Sequence, residues 1–526
     1  MTSHEPSTLD ATKLNGAEEK TDRADAAAAE SASSEHTTGD TTDTEAVVFS
    51  IYTTREKWFI VALIAYGGLF SPLTSNIYFP VIPTLSLVFD KSIELINLTV
   101  TMYIVFQAIA PMFWGTLADS WGRRLMFVAC LVVLSLSCVG LALVPRNAYW
   151  LLLLLRCLQA AGSASTIALG AGVVGDIAES YERGGFFGVY NVGPLFGPAV
   201  GPVLGGALAG GLGWRAIFWF LCIASAFCAV VLLLLLPETL RSMVGNGSIL
   251  PPRVCRPILP ILGRKHPKVP PVPGTQKRQG FRNPLAILLN LDILLLLAFN
   301  GVICAIFYGV NASVSTIFHE TYPQLNETEL GLCYISIGSG TLVGSVVSGK
   351  ILDWDYRRFS RKLLANAEPG TQVIDRDVFP IEKARMRLMP FLCIFYVSVC
   401  VGYGWCIERK VSIAGPLVLL FVIGIISMAF MNATQTLLLD LAPTQGSSIT
   451  ACNNLIRCGL SAVMVAVIQL IIDAIGVGWT YVLLSGFCVV ASPLIWIVMF
   501  IGPKWRERRR RKAEEAAMAA AGHEHL

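Results

Sequence analysis

Charge is scarce in this chain: Asp, Glu, Lys and Arg together make up 14% of 526 residues, where a soluble domain carries about 25%. The shortage is sharpest in the long apolar stretches, none of which holds an Asp or Glu at mid-depth; Asp176, Asp292 and Asp473 all sit near stretch ends. A buried carboxylate is the natural partner of a hydrophobic cation, so its absence biases any cavity here toward neutral or anionic solutes. Histidine is also missing from the stretches, with only His319 close to one. An intramembrane metalloenzyme or acid–base catalyst would have no residues to work with, so neither enzymatic activity nor a metal or cofactor is expected. No GxxxxGK[ST] loop occurs, which argues against nucleotide-driven pumping. The opening residues MTSHEPSTLD lack a basic start followed by an apolar run, so no cleaved signal peptide is expected and the first apolar stretch would serve as the insertion signal. Almost all of the 14 cysteines fall inside apolar stretches, where they pack as small apolar residues rather than as a disulfide framework.

What is present is hydrophobicity, at 54% of residues. Twelve apolar stretches of roughly 20 residues lie at about 58–83, 97–117, 125–145, 148–174, 185–209, 214–236, 288–317, 330–352, 388–407, 413–437, 448–472 and 479–501. Lipid offers backbone groups no partner, and the stretches are too long and continuous for barrel strands, so all twelve are predicted to be helices. The expected fold is an all-α membrane protein. Basic residues cluster on alternate connections, at Arg123 and Arg124, Arg183, Arg241 to Arg282, Lys350 to Arg387 and Lys504 to Lys512. That asymmetry predicts a cytoplasmic location for this side, and for both termini. Residues 1–50 read as a disordered acidic cytoplasmic tail; 51–236 and 288–502 as two six-helix bundles; 237–287, with its Pro-rich run HPKVPPVPGTQKRQ, as a cytoplasmic linker; and 503–526 as a basic tail. Weak echoes recur at a half-chain offset: GLGWRAIFWF with GVGWTYVLLS, and GTLADSWGRR with GKILDWDYRR. Such echoes indicate a duplicated unit with a solute site between the halves.

Two arginines stand alone at mid-depth, Arg156 in the fourth stretch and Arg457 in the eleventh. Burying a charge there costs at least about 2.5 kcal/mol even on lenient insertion scales, so something polar must meet each of them. Arg156 and Gln159 are three positions apart and share a helix face that continues into Gly162 and Ser163. The arginine is read either as contacting solute or coupling protons, or as a structural residue bonded to neighbouring carbonyls. In the fifth stretch, Gly193, Gly197, Gly201 and Gly205 recur every four residues, followed by Gly206, while Pro194, Pro198 and Pro202 interrupt the backbone hydrogen bonding. A kinked helix with a bare face against which another helix can slide is predicted. In GTLADSWGRR, Gly115 permits close approach, Gly122 precedes the basic pair, and Asp119 can pair with Arg123 or Arg124 to latch the basic side shut. Asp353 keeps the carboxylate in the second half, with a weaker pattern around it.

These motifs resemble the major facilitator superfamily, from about Phe59 to Pro503. GTLADSWGRR is similar to its loop between helices 2 and 3, RCLQAAGSAS to its helix 4 motif, and VGPLFGPAVGPVLGG to the antiporter motif of its exporters. PETLR after the sixth stretch resembles the twelve-span proton-coupled drug antiporters; SNIYFP and NNLIRC resemble their fungal quinidine-resistance-type branch. The resemblance implies two pseudo-symmetric six-helix bundles, a small-molecule solute, protons as coupling ion, a plasma-membrane location and a monomer.

Polar residues within the stretches supply the remaining candidates for a solute or proton pathway: Asn76, Tyr78, Gln107, Asn300, Asn311, Asn432, Gln435, Asn453 and Asn454, with Tyr103, Tyr190, Asn191 and Tyr308 beside them. Each also has a plain structural reading, as a hydrogen bond between helices. Sequons make Asn326, and less strongly Asn97, candidates for glycosylation. The leading expectation is a secondary active exporter of small organic molecules, with an organic-acid exporter of the same fold as the alternative and a non-transporting sensor as a third. No nucleic-acid partner is expected.

Overall fold

The computed structural model describes residues 49–179, 182–259, 288–365, 380–441 and 446–524. The acidic segment before Phe49 and the Pro-rich run of the linker lie outside the described residues. Long helices dominate, and they run back and forth as the apolar stretches predicted. The first half contains Thr54–Asn76, which continues through a 3₁₀ turn at Phe79–Val81 into Ile82–Phe89, then Ile93–Trp121, Arg123–Leu143, Tyr149–Ile177, Arg183–Leu212 and Arg215–Leu235. The second half contains Leu291–Thr321, Glu327–Ala365, Met389–Glu408 with the short helix Ile381–Met386 before it, Ala414–Leu441, and a long run Gly446–Glu524. That last run holds the eleventh and twelfth spans, separated at Gly476, whose φ of 81° and ψ of 166° interrupt the helix and suit glycine. Leu136, Ile223, Phe391, Ile394 and Val490 are large, apolar and exposed, as outer surfaces in lipid contact require.

Local chemistry fixes the ends. Thr53 and Glu56 form a reciprocal capping box at the start of the first span, satisfying backbone donors that would otherwise be orphaned. Gly122 joins the second and third spans at a φ of 109°, and a side chain there would overlap the Glu238 carboxylate. Glu238 in turn accepts four backbone N–H groups, from Arg123 (2.9 Å), Arg124 (3.2 Å), Thr239 (3.0 Å) and Leu240 (3.0 Å). A single buried carboxylate thus terminates the sixth span and caps the third.

The halves meet along two seams. On the first, the fifth span lies against the eighth: a Cβ on Gly206 would come within 2.8 Å of the Gly331 Cα, and one on Gly338 would overlap the Ala199 backbone. On the second, Thr101 donates to the Ala462 carbonyl (3.4 Å) and Asn454 to the Gln107 carbonyl (3.2 Å), linking the second and eleventh spans. Contact across the first seam is concentrated on the face opposite the basic connections, where Phe79 stacks on Tyr334 at 6.3 Å and Thr84 bonds to Glu327. Continuing the antiparallel register of the fifth and eighth spans toward the basic face would set Gly188 opposite Gly349, yet nothing lies within 4 Å of a Cβ at either position. Among the described residues, the glycine-to-backbone packing seen at Gly206 and Gly338 is therefore not repeated at the basic end of this seam.

One sequence expectation is given its partner by this packing and another is corrected. The helix that lies on the stripe Gly193, Gly197, Gly201 and Gly205 is the first span: Cβ atoms there would run into Ala65, Pro72 and Leu73, Asn76 and Ile77. The fifth helix, with Pro194, Pro198 and Pro202 inside it, is bound backbone-to-backbone inside its own half, and the residues bordering the other half are Ala199, Pro202 and Gly206, one face further round. Four-residue spacing names a stripe but not its neighbour. Asn97 is 1% exposed inside the second span, so it offers no amide to a glycan; Asn326 is exposed and caps the eighth span through reciprocal bonds with Glu329 at 2.9 Å.

Candidate solute site

Arg156 lies wholly inside the first half, at 0% exposure. Its guanidinium sits between two tyrosine rings, 4.1 Å from the Tyr78 centroid and 4.4 Å from that of Tyr103. Tyr78 is held by a hydroxyl contact with Thr99 (2.9 Å), and Tyr103 by one with Ser163 (2.7 Å). Nη1 donates to Gln159 Oε1 at 2.5 Å, one helical turn away, and Gln159 donates onward to Cys138 Sγ at 3.3 Å. The helix 4 sequence therefore brings Arg156 and Gln159 together as their spacing predicts.

What the arginine lacks is a counter-charge. Nε and Nη2 have no hydrogen-bond partner, and among the described residues no carboxylate pairs with it. Two desolvated cation–π contacts contribute about 2 kcal/mol each, against an effective penalty of several kcal/mol for taking one ion out of water. The unpaired Nε–Nη2 edge has the fork geometry that accepts a carboxylate through two parallel bonds. Nearby donors and acceptors are also unused: Ser71, Thr74 and Ser75 on the first span, and Gln107 Oε1 on the second.

Arg457 is placed differently. It is only partly enclosed, donates from Nη2 to Asn454 Oδ1 at 3.0 Å, and leaves Nε unpaired. Asn454 ties it to the first half through the Gln107 carbonyl. Tyr308 of the seventh span lies in the neighbourhood of both Tyr103 and Arg457, so the two arginine environments adjoin across the interface of the halves. Behind Arg457 runs a ladder of amides: Gln435 Oε1 accepts from Asn453 (2.6 Å), Asn453 Oδ1 from Asn300 (2.8 Å), and Asn300 Oδ1 from Thr434 (3.1 Å). Thr434 was not distinguished by sequence, because a lone threonine in a span carries no pattern.

Other candidates make hydrogen bonds within their own half. Asn76 and Asn311 donate to carbonyls of their own helices, at Pro72 (2.7 Å) and Phe307 (2.8 Å). Asn432 bonds to Ser348 at 2.8 Å within the second half, and the Tyr190 hydroxyl to the Ile167 carbonyl at 2.7 Å.

At the basic face, Asp119 pairs with Arg123 at 2.8 Å, and Arg123 also reaches Asp176 at 3.2 Å. Arg124 is not an exposed member of a latch. It is buried and donates to the carbonyls of Leu233 and Val254, binding the segment after the sixth span to the first half. Nothing lies within 4 Å of a Cβ on Gly115. Every described partner of this cluster belongs to the first half or to the segment that follows it, and none to the second half. At the corresponding turn of the second half the carboxylate that is buried is Asp355, 3.9 Å from Arg387, with Arg385 paired to Asp440 at 3.0 Å; Asp353, expected to take that place, is exposed. The two carboxylates are neighbours in sequence on a helix, and only packing decides which one turns inward.

Comparison with known proteins agrees with this architecture. The family model described as Major Facilitator Superfamily matches residues 64–466. The chain is 34% identical over 484 residues to citrate exporter 1 of Aspergillus niger, covering 89% of this chain and 90% of that one. It is 32% identical over 498 residues to the multidrug transporter QDR2 of Candida glabrata, covering 90% and 85%. Among solved structures it resembles a bacterial homologue of the human lysosomal transporter Spinster, inward-facing and unoccupied, with a TM-score of 0.61 at 14% identity over 86% of this chain and 99% of that one.

Proposed function

The chain belongs to the major facilitator superfamily, and from that premise we propose that this multi-pass transporter expels small organic molecules across the plasma membrane in exchange for protons. It is a transporter and not an enzyme. Export proceeds by rocking the two halves about the region that holds Arg156 and Arg457. The single observation that carries this reading is a seam packed backbone to backbone at Gly206 and Gly331 on one face, with no such packing among the described residues at Gly188 and Gly349 on the other, the asymmetry that one state of alternating access would have. With the basic face cytoplasmic, both termini are cytoplasmic, the side without that packing faces the cell interior and the site loads from within. The protein acts as a monomer.

One observation favours a narrower solute. The unpaired Nε–Nη2 edge of Arg156, in a set of spans with no mid-depth carboxylate, fits an organic acid better than a lipophilic cation. The kinship with a citrate exporter supports the same choice, while kinship with multidrug transporters keeps neutral compounds in view.

The test is export from cells expressing the chain, comparing a citrate-like tricarboxylate with a lipophilic cation under an imposed proton gradient. Gradient-driven export of the acid, lost in Arg156→Lys, is the expected result. Export of the cation alone removes the organic-acid reading, and absence of gradient dependence removes proton exchange.

A further inference from the structure

The twelfth span runs on into a tail with seven basic residues and one carboxylate, Glu507, between Lys504 and Lys512. Helix continues through Pro503 and onward, so the tail's side chains fall on fixed faces. Arg506 and Arg509 turn inward. Arg509 grips Asp292 with both nitrogens, Nη1 to Oδ1 at 3.0 Å and Nη2 to Oδ2 at 2.6 Å, and Arg506 lies 3.4 Å from Glu382. Both carboxylates are sealed from solvent, at 2% and 0% exposure, so these pairs fix the helix beside the starts of the seventh and ninth spans.

The opposite face carries Lys504, Arg508 and Arg511, spaced so that they share one side of the helix, and all three are exposed. Arg511 shares its charge with Glu507 at 2.6 Å. Among the described residues no carboxylate pairs with Lys504 or Arg508. A fourth cation comes from a separate segment: Lys383, exposed on the short helix before the ninth span, holds its ammonium 5.8 Å from the Phe500 ring, one turn before Lys504. Phe500 and Ile501 are the last large exposed apolar residues of the span, so Lys504 stands at the hydrocarbon boundary. Arg508 follows about 6 Å further on, inside a headgroup layer roughly 5–8 Å thick.

Basic residues after a span need only fix its orientation. Here two of them are consumed by buried carboxylates, and the helix so anchored presents cations from two segments along one face, with Arg511 about 10 Å beyond Lys504 and reaching back toward the headgroups through its long side chain. We propose that Lys383, Lys504, Arg508 and Arg511 form a binding rim for the headgroups of anionic phospholipids in the adjoining leaflet, through charge-assisted bonds to phosphate oxygens.

The experiment uses the full chain in neutral detergent and follows its melting temperature on adding short-chain phosphatidylserine, with phosphatidylcholine and inorganic phosphate at equal concentration as controls. The serine lipid should raise the midpoint by roughly 3 °C, and neither control should do so. In Lys383→Gln/Lys504→Gln/Arg508→Gln/Arg511→Gln, which keeps both anchors, the rise should vanish while the unliganded midpoint stays in place. Should that variant fold poorly, Lys504→Gln/Arg508→Gln alone should at least halve the rise. An undiminished shift in the variants overturns the proposal. So does an equal shift from inorganic phosphate or phosphatidylcholine.

Discussion

Arg156 in the first half is sealed between two aromatic rings with one edge unpaired, whereas Arg457 in the second half is partly open and held through an asparagine that reaches across the seam. The duplicated framework therefore carries two arginines in unlike surroundings. A guanidinium held between two tyrosines is oriented before any solute arrives, which suits recognition of a planar anion by shape. One held through Asn454, which itself grips the Gln107 carbonyl, changes its surroundings whenever the seam moves. We propose that the first half selects the solute and the second responds to it.

Replacing Arg156 is the strongest challenge to that assignment. Arg156→Lys keeps the charge but loses the fork, and charge-assisted bonds are worth about 1.5–3 kcal/mol, so apparent affinity for a carboxylate solute should fall roughly 10- to 100-fold. Arg156→Gln should do worse. Arg457→Lys should weaken affinity less than about 10-fold and change the pH dependence of the initial rate more. Rates measured against internal solute concentration at two external pH values would expose equal behaviour, which would erase the distinction.

Glycines sharpen a second contrast, between packing inside a half and packing between halves. Gly206→Leu intrudes on Gly331 and the Glu327 carbonyl, so it should abolish transport while leaving the protein in the membrane. Gly197→Leu intrudes on Pro72 and Leu73 of the same half, and it should lower thermal stability as well as transport, overpacking costing about 1–3 kcal/mol. Comparing surface abundance with export separates the two. A transport-competent Gly206→Leu would mean that the seam is not the moving part.

The amide ladder belongs to the responsive half. Asn453→Ala strands Asn300 and Gln435 at a cost of about 1–3 kcal/mol, and should reduce transport several-fold through maximal rate rather than affinity. The smallest effect is expected at Asp119, whose side chain is 63% exposed and whose pair with Arg123 is a surface one worth at most about 1 kcal/mol. Asp119→Asn should lower the maximal rate modestly with apparent affinity unchanged. A pure affinity loss would place it near the solute and not in gating.

The spans, their order and the adjacency of Arg156 and Gln159 were legible in sequence because hydrophobic length and helical spacing are local properties. The neighbours of the Gly193 to Gly205 stripe, the choice of Asp355 over Asp353, and the burial of Arg124 under the segment after the sixth span were not. Each depends on which face of a helix meets which partner, and no single stretch of sequence carries that information. Tyr78 and Tyr103 illustrate the boundary: both are candidates as polar residues, but their enclosure of one guanidinium needs three spans placed together.

The closed face of the seam rests largely on main chain, with Gly206 against Gly331 and Ala199 against Gly338, and the arginines and amides lie elsewhere. A hinge made of backbone is indifferent to cargo. Changes to the lining can alter what is carried without disturbing how the halves close, so a family built on such a joint can diversify its solutes while keeping one machine.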